Sequence, residues 1–150
     1  VTTTDYCEDH GQTEVHVVFG PPCSGKSTFV DERRRPGDLV VDWDRLMMAL
    51  AGQASRHHDP VLAPYVAAAR DAVISRLGQR RGGREPRSAW IVATWPLNHG
   101  MVWTDHVMDT SMDECLRRLY ADPDGRDVAE VESVIRSWFT RHQSLAVHGG

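Results

Sequence analysis

Short apolar runs alternate with helical stripes along this chain. The run "VHVVF" (residues 15–19) is rich in β-branched residues, is closed by Gly20, and fits a buried strand. "DLVVD" (38–42) reads as a second strand and "AWIVAT" (89–94) as the strongest one, while "WTDHVMD" (103–109) is a more polar fourth. "SLAVH" (144–148) offers a fifth candidate. Between these runs the apolar period lengthens. A helix is expected from Lys26 to about Arg34, ended by Pro36-Gly37. "DRLMMALAG" reads as a short helix with Asp44 as N-cap and Gly52 just past its end. After the loop "QASRHHD" (53–59), Asp59-Pro60 is a helix start. Leu62, Val66, Val73, Ile74 and Leu77 then hold one stripe up to the break at Gly82-Gly83. Ser111 and Glu114 form a capping box that opens a helix through Tyr120. Past the turn-rich "ADPDGRD", Val131, Val134, Ile135, Trp138 and Phe139 mark one face of a last helix.

Strands separated by helices imply βαβ units. The expected fold is therefore α/β: a parallel sheet of four or five strands with helices on both faces. Its 150 residues suit one domain. We assign residues 15–150 to that domain and 1–14, polar and acidic, to a flexible N-terminal segment.

Composition narrows the class. Apolar content of 41% and charged content of 25% are those of a globular chain. No apolar run approaches the ~18 residues of a membrane span, and the first residues do not resemble a secretory signal. No membrane partner is expected, and the default expectation is a cytoplasmic protein. Three cysteines, Cys7, Cys23 and Cys115, cannot pair off evenly. Cys7 and His10 have a ligand-like spacing but lack a second ligand pair. A net charge of −4 argues against a long nucleic-acid groove, though not against a small site for a nucleotide or one strand end.

One stretch carries specific chemistry. Residues 20–27, "GPPCSGKS", match G-x-x-x-x-G-K-[ST], the P-loop pattern. Average residue frequencies put a chance match in such a chain at about one in two hundred. The motif also lies between an expected strand and an expected helix. Lys26 is the only lysine among seventeen basic residues. A phosphate cradle calls for a slender point charge, and arginine's planar fork fits poorly there. Gly20 and Gly25 let the backbone approach phosphate. The loop's N–H groups and the helix N-terminus face the anion, with Pro21, Pro22, Cys23, Ser24 and Thr28 completing the loop. Ser27 supplies a hydroxyl to Mg²⁺. ATP or another NTP, with Mg²⁺, is the expected cofactor pair.

The phosphate's destination rests on other residues. Asp42 and Asp44 lie at and just past the end of the second strand, the edge where parallel sheets bind ligands. Asp44 is the candidate base that orients an acceptor hydroxyl and takes its proton, with a plain N-cap as the alternative. Asp42 is the candidate Mg²⁺ holder. Arg45, Arg56, His57 and His58 are candidates for the acceptor's surroundings, the two histidines fitting a solvated loop better than a catalytic role. Arg117, Arg118 and Arg126 bracket the turn-rich segment. Arg118 and Arg126 are preferred as lid arginines that stabilise charge in the transition state. Arg80, Arg81, Arg84 and Arg87 read as a solvated loop. Trp95 either stacks on an acceptor base or packs the sheet end.

"VHVVFGPPCSGKSTFV" followed by "DLVVDWDRLMMAL" resembles the kinase domain of bacteriophage polynucleotide kinases. It is also similar to the wider group of small P-loop kinases that includes zeta toxins and ATP-binding proteins of actinobacterial phages. The resemblance runs from about Val15 to Phe139 and implies a P-loop kinase fold with a short arginine-bearing lid in "HVMDTSMDECLRRLYADPDGRD". It implies Asp44 as the acceptor-activating base, and a nucleotide and a small-molecule or nucleic-acid-end hydroxyl as partners. Two positions depart from the pattern. Met47 stands where polynucleotide kinases carry an arginine, and Thr94 ends the third long strand where many relatives have an aspartate. The expected activity is ATP-dependent transfer of the γ-phosphate to a polynucleotide 5′-OH, a nucleoside or nucleotide, or a modified DNA base. The alternatives are an NTPase and an ATP-binding interaction module without transfer.

Overall fold

A computed structural model describes residues 1–4, 13–53, 58–79, 84–97, 101 and 103–148. Its strands are β1 (Thr2–Thr4), β2 (Glu14–Phe19), β3 (Leu39–Val41), β4 (Ser88–Ala93) and β5 (Thr104–Val107). Its helices are α1 (Lys26–Arg33), α2 (Trp43–Ala51), α3 (Ala63–Leu77), α4 (Met112–Ala121) and α5 (Val128–His148). The five strands form one sheet in the order β1-β5-β2-β4-β3. β2 lies at its centre, parallel to β4 and β5, and β3 is parallel to β4.

Side-chain alternation on β2 divides the core into two layers. Val15, Val17 and Phe19 face one way and pack with Val41, Ile91, Ala93 and Ile74 of α3. Val18 faces the other way, with Trp90 and Val92 of β4 and Phe29 and Val30 of α1. A third cluster joins Cys115, Leu116 and Leu119 of α4 to Ile135 of α5, and Cys23 of the loop packs against it. The P-loop and the α4–α5 pair are therefore connected through apolar contact.

Besides the later start of α3, at Ala63 rather than at Asp59-Pro60, three features differ from the sequence reading. Thr2–Thr4, expected within a flexible segment, form an antiparallel edge strand on β5. A polar chain helps hold it: Thr3 Oγ1 lies 2.9 Å from His106 Nδ1, and His106 Nε2 lies 2.9 Å from His16 Nδ1 on β2. "SLAVH" is not a strand but the last turns of α5. No breaker separates it from Phe139, so the helix runs on through the short apolar alternation. The N-cap of α2 is Asp42 rather than Asp44: its side chain accepts from the Asp44 amide at 3.0 Å. Gly52 ends α2 in the left-handed region, as expected.

Candidate functional site: a P-loop facing two aspartates and two arginines

β2 runs into the loop at Gly20, whose amide donates to Ala93 O of β4. The two glycines serve different needs. At Gly25 φ is +89°, the region glycine enters without strain, and this residue caps α1. At Gly20 the demand is space, since an added Cβ would lie 2.6 Å from Ser24 Oγ and 2.9 Å from Met108 Cβ. Among the described residues no side chain caps α1, and its first turn holds no acidic residue. Its opening amides thus face the loop with the positive end of the helix dipole behind them.

Lys26 begins α1 and turns its ammonium back into the loop, donating to Gly20 O at 2.6 Å and Pro21 O at 2.7 Å. Burial pushes its pKa down to about 8, and the charges of Asp44 and Asp42 offset part of that push. Ser27 Oγ donates to Asp42 Oδ2 at 2.7 Å. Asp42 is 5% exposed, and its two oxygens serve separate partners, the Ser27 hydroxyl and the α2 amide. A hydroxyl beside a carboxylate, next to a phosphate cradle, is the oxygen donor set that Mg²⁺ favours. The uncapped helix, the loop lysine and this oxygen pair fit a nucleotide phosphate with its cation.

Both preferred arginines reach the loop, and they meet at Cys23. Arg118 of α4 donates to Glu114 Oε1 at 2.9 Å and to Cys23 O at 3.3 Å. Arg126, in the turn before α5, places Nη1 3.0 Å from Cys23 Sγ. Its Nε is buried with no hydrogen-bond partner among the described residues, as is Ser24 Oγ. Cys23, expected only to complete the loop, has φ of +63° and is the common contact of these two cations. Arg117 pairs instead with Glu114, whose carboxyl Arg117 and Arg118 together hold down at about 2.

The acceptor-side candidates separate clearly. Asp44 lies close enough to Lys26 for its charge to act on the ammonium, and its Oδ1 accepts from His58 Nε2 at 2.8 Å. Arg45 is committed to Asp31 of α1 through two bonds of 2.9 and 2.8 Å. Met47 is buried at 1% exposure, so the position where polynucleotide kinases carry an arginine belongs here to the core. Trp95 carries the Arg141 guanidinium 4.7 Å from its ring centroid. Thr94 O accepts from Trp138 Nε1 of α5 at 2.9 Å. Arg84 and Arg87 are exposed. Arg56, His57, Arg80, Arg81, Cys7 and His10 lie outside the described residues. The His58 contact had no signal in the sequence beyond a histidine in a loop.

No family model matches the chain, and neither does any curated protein. Among solved structures it is similar to shikimate kinase from Acinetobacter baumannii in complex with shikimate. The TM-score is 0.53 at 15% identity, over 89% of this chain and 78% of that one. The chain has the α/β fold of P-loop kinases, with its sheet mostly parallel. Among the described residues, no helix is long and apolar enough to cross a membrane.

Proposed function

We propose that this chain is an ATP- and Mg²⁺-dependent phosphotransferase acting on a hydroxyl group. The observation that carries this reading is the bond from Ser27 of the P-loop helix to Asp42, whose other oxygen accepts from the Asp44 amide, so that the start of α2 with Asp44 lies beside the loop. Bound MgATP would supply the phosphoryl group, with the cation offsetting its charge. The loop amides and Lys26 hold the phosphates, and Ser27 with Asp42 holds the cation. Asp44 orients the acceptor hydroxyl and takes its proton. Arg118 and Arg126 stabilise charge as the phosphoryl group moves.

The acceptor is a hydroxyl of a small molecule, a nucleoside or nucleotide, a modified DNA base, or a polynucleotide 5′ end. The burial of Met47 and the pairing of Arg45 favour the small-molecule arm, because among the described residues α2 then offers no uncommitted arginine to an acceptor phosphate. Shikimate, the ligand of the structural neighbour, therefore belongs in the panel of acceptors. Thr94, in place of a carboxylate at the end of β4, favours the second reading: an NTPase or an ATP-binding module.

The test is incubation with γ-labelled ATP, Mg²⁺ and a panel of 5′-OH oligonucleotides, nucleosides, nucleotides, sugars and shikimate. Label on an acceptor supports the phosphotransferase. Label released only as phosphate supports the NTPase, and tightly bound, unchanged ATP supports the binding module.

A further inference from the structure

We propose that His58 is a positioning residue for the acceptor-activating aspartate, fixing the rotation of the Asp44 carboxylate through the contact between Nε2 and Oδ1. This inference rests on the phosphotransferase reading and adds to it a residue from a different segment.

Asp44 occupies the first turn of α2, and Asp42 has already taken the capping role there. The terminal torsion of a carboxylate is broad, and a hydrogen bond to one oxygen narrows it. His58 enters from the connection between α2 and α3, fourteen residues downstream, and meets Oδ1 at 2.8 Å. A carboxylate oxygen can only accept, so Nε2 carries the proton and the ring faces Asp44 in a defined tautomer. A group that must meet a substrate hydroxyl gains from being held at one angle, since a displacement near 1 Å can cost about a hundredfold in rate.

The surroundings suit this role. The charged groups acting on His58 are Asp44 from α2, Glu130 from α5 and Arg126 from the turn before α5. The hydrogen bond to Asp44 is the largest influence, and it raises the imidazole's pKa above the ordinary 6.5. His58 therefore sits where the α2–α3 connection comes within charge range of the lid segment that carries Arg126. It is half-exposed, and its replacement removes no core packing.

The test combines kinetics with titration. His58→Ala is expected to lower kcat on the responding acceptor of the panel by about 10- to 100-fold, with unchanged KM and Kd for ATP. His58→Gln, which keeps a donor on the side chain, should recover much of that loss. Separately, the His58 imidazole is followed by NMR titration in the wild-type protein and in Asp44→Asn. Its midpoint should fall toward 6.5 in the variant. Unchanged kcat in His58→Ala, or a His58 titration indifferent to Asp44→Asn, would overturn the inference. A wild-type chain inactive on every acceptor, yet with a His58 titration that depends on Asp44, would keep the contact and refute its role in transfer. That outcome separates failure of this inference from failure of the wider reading.

Discussion

Ser27 Oγ and Asp42 Oδ2 lie 2.7 Å apart, joining the first turn of the P-loop helix to the end of β3. The same carboxylate caps α2 through its other oxygen. Substitution can separate the capping role of Asp42 from the cation-holding role proposed for it. Asn remains a good N-cap but gives up the negative charge. Asp42→Asn is expected to change stability by less than about 1 kcal/mol in denaturant unfolding while weakening Mg²⁺-dependent ATP affinity about tenfold or more in calorimetry. Asp42→Ala should lose the cap as well, at about 1 kcal/mol. Equal ATP affinity with and without Mg²⁺ in the wild-type protein would count against a cation at this pair.

Lys26 is expected to make nucleotide binding sensitive to pH. Burial lowers its folded-state pKa from 10.5 to about 8. Between those values the unfolded chain binds more protons than the folded one, so this group's contribution to stability rises with pH across that window. Phosphate brought to the loop favours the charged ammonium and pulls the pKa back up. ATP binding near pH 8.5 should therefore take up protons, read as a dependence of binding enthalpy on the buffer's ionisation enthalpy. The uptake should vanish near pH 6.5, and Lys26→Ala should lose ATP binding altogether.

Arg126 should affect turnover more than binding. Its Nη1 contacts Cys23 Sγ, and its Nε is buried without a partner among the described residues. Arg126→Ala is expected to lower kcat by about 10²- to 10³-fold with a much smaller change in ATP Kd. Arg118→Ala, half-exposed and shared with Glu114, should cost less. Stopped-flow measurement of nucleotide affinity beside steady-state rates distinguishes the two effects.

Gly20 is held by its neighbours. A Cβ there would meet Ser24 Oγ and Met108 Cβ at 2.6 and 2.9 Å, so Gly20→Ala should destabilise the fold by about 1–3 kcal/mol in denaturant unfolding. Gly37→Ala tests the opposite limit. It has φ of +90° but nothing within 4 Å, so its cost should come from backbone strain alone, about 1 kcal/mol.

Much of this arrangement was legible in residue order. The run into Gly20, the lone lysine and the capping residues Gly52 and Ser111 act over a few positions, and the structure places them as expected. What was hidden depends on contacts distant in sequence. Thr2–Thr4 are polar and too few to show a strand pattern, and their place is set by pairing with β5. Asp44 was expected to cap α2, and residue order did not show that Asp42, two positions earlier, takes that role with one oxygen while the other accepts from Ser27. Likewise, the meeting of Arg118 and Arg126 at Cys23 depends on α4 and α5 folding back onto the loop.

The most direct test of the account is a single-turnover comparison of wild-type protein and Asp44→Asn with γ-labelled ATP and the panel of acceptors. Label should move to an acceptor in the wild-type protein, and transfer should be lost in Asp44→Asn with ATP Kd changed by less than about threefold. Transfer that survives in Asp44→Asn, or a parallel loss of transfer and ATP affinity, would contradict Asp44 as the acceptor's base.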